Sequence, residues 1–287
     1  MKFEVLFDEG EPSSLNDPAF APYGKLGFPN PPKDRPWTLA NFVQSIDGVA
    51  SFGGKHATGG DLAQSQEDQW LMGLLRAHAD AILLGLNTLI AETAILTQIN
   101  AGRGPVYKIE HPELRELRQR LGRQRESVIL VTASARFDPA AYRLFDGDEV
   151  QAFVLTTATG ASRLAGTKAQ VIVAGKDQSV DLPLAVQILR RDLGVEYLLC
   201  EGGPTLYGNM AKAGLIDEKF VTVAPREIGL MIPPEQETAD WESKNPPRLR
   251  PTTFMAPGFT WETSPRWRWI SCRRSHDFQF SRYRLLR

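Results

Sequence analysis

The sequence contains few residues that could hold a transition metal, with two cysteines and four histidines among 287 residues. Two cysteines cannot build a cysteine-rich zinc site, and the paired cysteines after a proline that mark zinc deaminases are absent. Cys200 and Cys272 instead lie in apolar segments with strand-like character. We therefore expect no metal site, and we expect both cysteines to be reduced and buried.

The chain also has no excess of basic residues and no long apolar run. Its 33 basic and 34 acidic residues give a formal net charge of −1, which argues against nucleic acid as the main partner. No stretch approaches the roughly 18 apolar residues of a membrane span. The first residues, Met1-Lys2-Phe3-Glu4, lack the apolar core of a signal peptide. We expect a globular protein without a membrane partner, located in the cytoplasm.

The segment Glu196–Pro225 carries the clearest local pattern, which is a strand, a glycine turn, a helix and a second strand. Tyr197–Cys200 is a short apolar run, as in a strand that is buried on both faces. Gly202-Gly203 then leads into Pro204, a residue suited to the first helical position. Backbone N–H groups at such a helix start can bind a phosphate or pyrophosphate. Without a ligand the same residues make a tight turn, and the local pattern does not decide between the two.

Glycines and polar residues follow three further predicted strands. They are Ser45, Asp47 and Gly48 after residues 38–43, Gly85 and Thr88 after residues 81–84, and Ser134 and Arg136 after residues 127–132. Open α/β sheets bind ligands beyond the carboxyl ends of their strands. A hydroxyl group beside an arginine can grip a ribose 2′-phosphate. Two alternatives stay open, because Asp47-Gly48 is also an ordinary turn and Arg136 an ordinary surface residue.

The alternation of strands and helices from residue 38 onward predicts one parallel or mixed sheet with helices on both faces. Residues 1–36 hold many prolines and little periodicity, which is typical of an extended arm. Residues 233–258 are also rich in proline and fit a surface excursion. Residues 267–272 and 278–283 alternate between apolar and polar side chains and predict a final antiparallel strand pair.

The local sequence also predicts the surroundings of several individual side chains. Ser65 is suited to cap a helix that ends near His78. We expect His78 to be packed or bonded to a carbonyl group rather than catalytic. Asp217 and Glu218 follow the exit of a later helix, and we expect both of them to lie on the surface.

Taken in order, these segments resemble the C-terminal reductase domain of the bifunctional riboflavin-biosynthesis protein (RibD), within the dihydrofolate reductase-like family. The resemblance covers residues 37–287, and it rests on the order and spacing of short motifs, each of which is weak alone. The matching residues are Gln44-Ser45-Ile46-Asp47-Gly48, Leu75-Arg76-Ala77, Ala79-Asp80-Ala81-Ile82-Leu83-Leu84-Gly85, Thr88, Glu201-Gly202-Gly203-Pro204-Thr205-Leu206, Ala213-Gly214-Leu215-Ile216-Asp217-Glu218, Ala224-Pro225 and Gly229.

The resemblance implies a three-layer α/β domain over residues 37–287, preceded by the arm 1–36. Its sheet is mixed and mostly parallel, with helices on both faces and a C-terminal antiparallel strand pair. It also implies NADPH as cofactor, a small-molecule substrate and a homodimer. The residues implied to contact the cofactor are Ser45, Gly48, Gly85, Thr88, Ser134, Arg136, Glu201, Gly202, Gly203, Pro204, Thr205 and Leu206.

The chemistry implied is hydride transfer to a small molecule, as in 5-amino-6-(5-phosphoribosylamino)uracil reductase of riboflavin biosynthesis. Asp47 and Glu92 are the candidate acids, because a carboxyl group in a closed apolar site can hold a proton near neutral pH. We expect a stand-alone reductase, since residues 1–36 are too short for the deaminase domain and lack its zinc ligands.

Two substrate motifs of the family are altered in this chain. Trp-Ile-Thr-Gly is replaced by His56-Ala57-Thr58-Gly59-Gly60, and the paired aspartates of Asp-Asp-Pro are gone, leaving Glu92 in one acidic position. The substrate is therefore open between the riboflavin pyrimidine, a pterin such as dihydrofolate, and another small carbonyl or imine compound. An NADPH-binding protein without catalysis is the alternative in a different class.

Overall fold

A ten-stranded sheet runs through the described part of the chain. The structure, a computed structural model, describes residues 1–13, 15–24, 26–52, 59–98, 102–123, 125–231 and 249–287. The strands are β1 (Glu4–Asp8), β2 (Trp37–Ser45), β3 (Ala81–Gly85), β4 (Ser127–Val131), β5 (Gln151–Thr156), β6 (Gln170–Val173), β7 (Tyr197–Cys200), β8 (Glu218–Ala224), β9 (Arg266–Ser275) and β10 (Phe278–Leu286). Their order is β1-β9-β10-β8-β2-β7-β3-β4-β5-β6. Neighbours from β8 to β6 are parallel, and the other pairs are antiparallel.

Helices cover both faces of this sheet. They are α1 (Gly59–Ala63), α2 (Gln66–His78), α3 (Leu86–Gln98), α4 (Pro112–Arg120), α5 (Ala158–Arg163), α6 (Leu182–Asp192) and α7 (Pro204–Lys212). Ile82 and Leu84 of β3 share a buried core with Leu89 of α3. Leu83, between them, belongs to the opposite core with Leu189 of α6. The central strands read as continuous apolar runs because both of their faces are buried, so the predicted mixed, mostly parallel sheet between helix layers is confirmed.

The N-terminal segment packs against the sheet of its own chain. β1 pairs antiparallel with β9 at the edge of the sheet. Phe3 and Phe20 lie in the core that Trp70 of α2 also joins. Arg273 of β9 forms a buried ion pair with Asp8 at 2.7 Å. The segment predicted as an extended arm thus contributes a strand and core side chains, while the boundary between residues 36 and 37 stays a prediction.

Asp217 and Glu218 are buried, which corrects the expectation that both lie on the surface. Asp217 accepts two hydrogen bonds from the guanidinium group of Arg35, at 2.7 and 2.8 Å. Glu218 pairs with Arg282 and Arg284 of β10, at 2.6 Å each. A carboxylate is tolerated in the interior when cations pair with it. These cations lie far away in the sequence, and only the folded chain brings them close.

Two stretches singled out in the sequence lie outside the described residues. One is 233–248 of the proline-rich excursion, and the other is His56-Ala57-Thr58 of the altered motif. Gly59 and Gly60, which complete that motif, begin α1. Among the described residues, no helix has the length and apolar character that crossing a membrane requires.

His78, the last residue of α2, is buried among aromatic rings. Its Nδ1 atom lies 2.9 Å from the carbonyl oxygen of Leu74. The centroids of the Phe20 and Phe28 rings lie 5.6 and 5.4 Å from the centroid of the imidazole. Burial lowers the pKa of His78 to about 4. The prediction of a packed, carbonyl-bonded histidine is confirmed, and its imidazole is neutral at pH 7.

We predict that His78 makes the protein less stable as the pH falls. The unfolded chain takes up a proton at His78 near pH ~6.5, whereas the folded chain does so only at about pH 4. The stability is therefore complete above about pH 6.5 and falls by up to ~3 kcal/mol toward pH 4. Chemical denaturation at several pH values measures this loss against His78→Phe, which keeps an aromatic ring but cannot titrate.

His276 provides the matched control, because its side chain is largely exposed. His276→Asn suits the left-handed backbone at that position, where φ is 51°. This variant should keep the pH dependence of the wild type. If His78→Phe and the wild type lost stability equally on acidification, the buried neutral imidazole would be the wrong description.

Candidate functional site

A cleft of about 1600 Å³ opens at the carboxyl ends of the parallel strands. Gly85 of β3, Val131 of β4 and Glu201 after β7 line it, and these strands are neighbours in the order β7-β3-β4. Ligands bind at this edge in open α/β sheets. Of the predicted site residues, the lining contains Gly85, Thr88, Glu92, Ser134, Glu201, Gly203, Pro204, Thr205 and Leu206.

The turn between β7 and α7 packs directly against the end of β3. A Cβ atom on Gly202 would lie 2.7 Å from the Cβ atom of Leu84, closer than such atoms approach, so glycine is needed there. Gly203 has a φ of 71° and is the N-cap residue of α7. Glycine carries no capping side chain and Pro204 has no N–H, so the N–H groups of Thr205 and Leu206 are the ones that lie at the cleft wall without a side-chain cap.

Gly85 and Thr88 border the same turn from the side of β3 and α3. The hydroxyl oxygen of Thr88 lies 3.3 Å from the point that a Cβ atom on Gly203 would occupy. A Cβ atom on Gly85 would meet no atom within 4 Å, which shows open space beside the strand end. Backbone N–H groups, a hydroxyl group and free space therefore meet at one place, and this is what a phosphate group requires.

Ser45, Asp47 and Gly48 lie outside the cleft lining. The Ser45 hydroxyl donates a hydrogen bond to the Asp47 carboxylate, and the N–H of Gly229 donates to it at 2.6 Å. These bonds, that of Ser45 first, lower the pKa of Asp47. The raised pKa expected for an acid catalyst is therefore not found at Asp47. Its carboxylate joins the turn after β2 to the loop that holds Gly229.

Ser134 and Arg136 both follow β4, but they face different surroundings. Ser134 lines the cleft, whereas Arg136 is exposed and outside the lining. Arg163 of α5 donates a hydrogen bond to the carbonyl oxygen of Ser134 at 2.6 Å. The loop in which we predicted a 2′-phosphate site thus contains Arg136 and is contacted by Arg163.

Glu201, the residue before the glycine turn, forms a buried ion pair with Arg76 of α2. Arg76 Nε and Nη2 donate to the two carboxylate oxygens at 2.8 and 2.7 Å. Each of the two side chains is 8% exposed. Arg76 Nη1 also donates to the carbonyl oxygen of Lys108 at 3.0 Å. One arginine therefore joins α2, the glycine turn and the loop that precedes α4.

Glu92 of α3 lies in the cleft beside this ion pair. Its carboxylate accepts a hydrogen bond of 2.7 Å from the hydroxyl group of Tyr107. Burial raises the pKa of Glu92, and the negative charge of Glu201 adds to the rise. The Tyr107 hydrogen bond and the charge of Arg76 oppose it. A raised pKa is the property that we expected of an acid catalyst in a closed site.

The sequence did not lead us to expect Asp68, Arg76 and Tyr107 in the cleft lining. Burial raises the pKa of Asp68 to about 6. Asp68, Met72 and Arg76 recur every four residues on one face of α2, and that spacing could have identified them. Tyr107 follows no regular pattern, so the sequence holds no local signal for it.

Sequence comparison assigns the chain to a family. A model described as the RibD C-terminal domain matches residues 36–253, which is most of the chain. The chain belongs to the RibD C-terminal domain family. The family expected from the ordered short motifs is therefore confirmed.

The chain is similar to two archaeal proteins named 2,5-diamino-6-ribosylamino-4(3H)-pyrimidinone 5′-phosphate reductase. The protein of Methanothermobacter thermautotrophicus is 29% identical over 199 residues, which cover 68% of this chain and 80% of the relative. The protein of Archaeoglobus fulgidus is 29% identical over 198 residues, which cover 68% and 83%. A pyrimidine reductase-like protein of Corynebacterium diphtheriae has a similar fold, with a TM-score of 0.62, 25% identity and coverage of 88% and 93%.

We predict that Gly202→Ala destabilises the protein by about 1–3 kcal/mol. The added methyl group would lie 2.7 Å from Leu84 Cβ and 3.1 Å from its Cα atom, so the turn must move away from β3. Urea denaturation measures the loss of stability.

Gly85→Ala is the control, because it adds the same methyl group next to the same turn. Nothing lies within 4 Å of its Cβ position, so its stability should stay within about 0.5 kcal/mol of the wild type. Equal losses in the two variants would contradict the close approach of Gly202 to β3.

Proposed function

We propose that this protein is an NADPH-dependent reductase that acts on a pyrimidine carrying a phosphorylated ribosylamino group. One observation carries the proposal. The cleft joins a helix start without a side-chain cap, suited to an anion, to partly buried carboxyl groups with raised pKa values, suited to proton exchange. The names of the two archaeal relatives support the same reaction and substrate class.

The residues at the glycine turn fit the phosphate groups of a dinucleotide. Gly203 allows a φ of 71°, and the first N–H groups of α7 can then donate to the pyrophosphate while the helix dipole favours its charge. Thr88 adds a hydroxyl group, and the space at Gly85 leaves room for the ligand. We assign the 2′-phosphate to the loop of Ser134 with Arg136. When bound, NADPH supplies a hydride from its nicotinamide ring.

Asp68 and Glu92 are the carboxyl groups that we propose for proton exchange with the substrate. Both line the cleft. The pKa of Asp68 is raised to about 6 and that of Glu92 is also raised, in both cases mainly by burial. General acids work best when their pKa lies near the working pH. Asp47 is the weaker of the two acids suggested by the sequence, because its lowered pKa keeps it ionised.

The decisive experiment offers 2,5-diamino-6-ribosylamino-4(3H)-pyrimidinone 5′-phosphate and NADPH to the purified protein. We expect loss of NADPH absorbance in proportion to the reduced pyrimidine formed. We also expect micromolar NADPH binding, and Arg136→Ala should weaken NADPH binding about tenfold by removing a charge-assisted contact to the 2′-phosphate. NADH, which has no 2′-phosphate, should bind weakly to both proteins.

Arg274→Ala is the matched control, because Arg274 is exposed, is paired with Glu4, and lies on β9, outside the cleft lining. It should leave both cofactor affinities unchanged. If neither NADPH nor NADH bound to the wild type, the reductase proposal would be overturned. Tight NADPH binding without turnover of this pyrimidine or of dihydrofolate would favour the cofactor-binding alternative.

We also propose that the protein is a homodimer and that an aromatic patch on β1, β9 and β10 takes part in the contact. Trp269 is 44% exposed. Its ring is stacked on Tyr283 with centroids 6.1 Å apart, and its centroid lies 4.7 Å from that of Phe7. Exposed aromatic patches are typical of protein interfaces.

Light scattering after size exclusion tests the dimer. We expect twice the mass of one chain for the wild type and the mass of one chain for Trp269→Glu, because a buried unpaired carboxylate disfavours association. Trp261→Glu is the control, since Trp261 is 93% exposed outside the patch, and it should stay dimeric. A monomeric wild type would refute the dimer.

A further inference from the structure

The connection between α3 and β4 is unusually long and forms one wall of the cleft. Connections between a helix and the next strand typically have about 2–6 residues, whereas this one runs from residue 99 to residue 126 and contains α4. Its described part places four polar side chains in the cleft lining, namely Tyr107, Lys108, Glu110 and His111. Long ordered connections are frequently functional.

Tyr107 has a strained backbone within this connection. Its φ is 63°, in the left-handed region that residues other than glycine rarely occupy. Such a conformation costs about 1–3 kcal/mol and is kept only when the surroundings impose it. The side chain is nevertheless buried, with 9% of the residue exposed. A buried and strained tyrosine in a cleft wall calls for a reason beyond packing.

The surroundings hold Tyr107 from both sides. Gly104 has a φ of 99°, and a Cβ atom there would lie 2.3 Å from the hydroxyl oxygen of Thr93, so the loop is pressed against α3. On the other side, Arg76 donates to the carbonyl oxygen of Lys108 at 3.0 Å. The loop is thus fixed to α3 and α2 at the residues that flank Tyr107.

The loop so fixed places the Tyr107 hydroxyl group where it donates a hydrogen bond of 2.7 Å to the Glu92 carboxylate. The other charged groups that act on Glu92 are Arg76 of α2 and Glu201 after β7. These two are bonded to each other through both carboxylate oxygens. Tyr107 is therefore the neutral donor that satisfies Glu92.

We infer that Tyr107 is a positioning residue for Glu92. The Tyr107 hydroxyl group holds the Glu92 carboxyl group in place and sets the pH at which Glu92 takes up a proton. The inference deepens the proposed function, because it concerns one of the two acids assigned to proton exchange. A donor that bonds the ionised form favours that form. Without the hydroxyl group, burial and Glu201 would hold the proton on Glu92 to a higher pH.

Carbon-13 NMR of protein labelled at the glutamate carboxyl carbons tests the inference without cofactor, substrate or activity. The Glu92 signal is assigned as the one missing from Glu92→Gln. Tyr107→Phe keeps the ring and removes only the hydroxyl group, so we expect the titration midpoint of Glu92 to rise by about one pH unit. Tyr142→Phe is the control, because Tyr142 packs beside the same core and contacts Phe137 through its ring. It should leave the midpoint unchanged.

A second substitution keeps the test valid if Tyr107→Phe fails to fold. Tyr107→3,5-difluorotyrosine has a more acidic hydroxyl group, which is a stronger donor, so the midpoint of Glu92 should fall. An unchanged midpoint in this variant, or an unchanged or lowered midpoint in folded Tyr107→Phe, would overturn the inference.

Activity measurements separate this inference from the proposed function. If the protein is a reductase that needs protonated Glu92, kcat falls as the pH rises through the pKa of Glu92, and Tyr107→Phe moves that fall to higher pH. A merely structural tyrosine would change the rate without moving the profile. An NMR shift without reductase activity would support the role of Tyr107 and refute the proposed function, whereas activity without the shift would do the reverse.

Discussion

The ion pair between Arg76 and Glu201 is the contact on which the cleft depends. Both side chains are buried and are joined through two hydrogen bonds. Removing one partner of such a pair leaves an uncompensated charge and costs about 3–5 kcal/mol. The pair ties α2 to the residue that precedes the glycine turn, and Arg76 also holds the carbonyl group of Lys108. The glycine turn and the loop that holds Tyr107 are therefore joined through one guanidinium group.

This arrangement divides the electrostatics of the cleft into two regions. At the glycine turn, the start of α7 offers N–H groups and the positive end of a helix dipole, which suits an anion. Around Arg76, Glu201 and Glu92 form an excess of carboxylates over cations, and the crowding helps to raise the pKa of Glu92. Asp68 has a raised pKa for a simpler reason, which is burial. The cavity thus has one place suited to an anion and, apart from it, carboxyl groups with raised pKa values.

The sequence predicted well those features that depend on neighbouring residues. The strand Tyr197–Cys200 has the predicted bounds, and α7 begins at Pro204 as its missing N–H suggested. The same local reasoning put Asp217 and Glu218 on the surface, where the structure buries them. It failed there because the stabilising arginines come from the N-terminal segment and from β10. No local pattern records a partner so far along the chain.

By itself, the sequence determined the alternation of strands and helices, the glycine turn and, through ordered motifs, the family, because these rest on backbone preferences and on short spacings. The tertiary structure decided which polar residues share the cleft. It set Asp47 apart in a turn and brought Glu92 beside Arg76 and Tyr107. Burial and the pairing of distant charges determine proton affinity, and both arise only when the sheet has assembled. The chemistry of this cleft is therefore a property of the packed strands and helices.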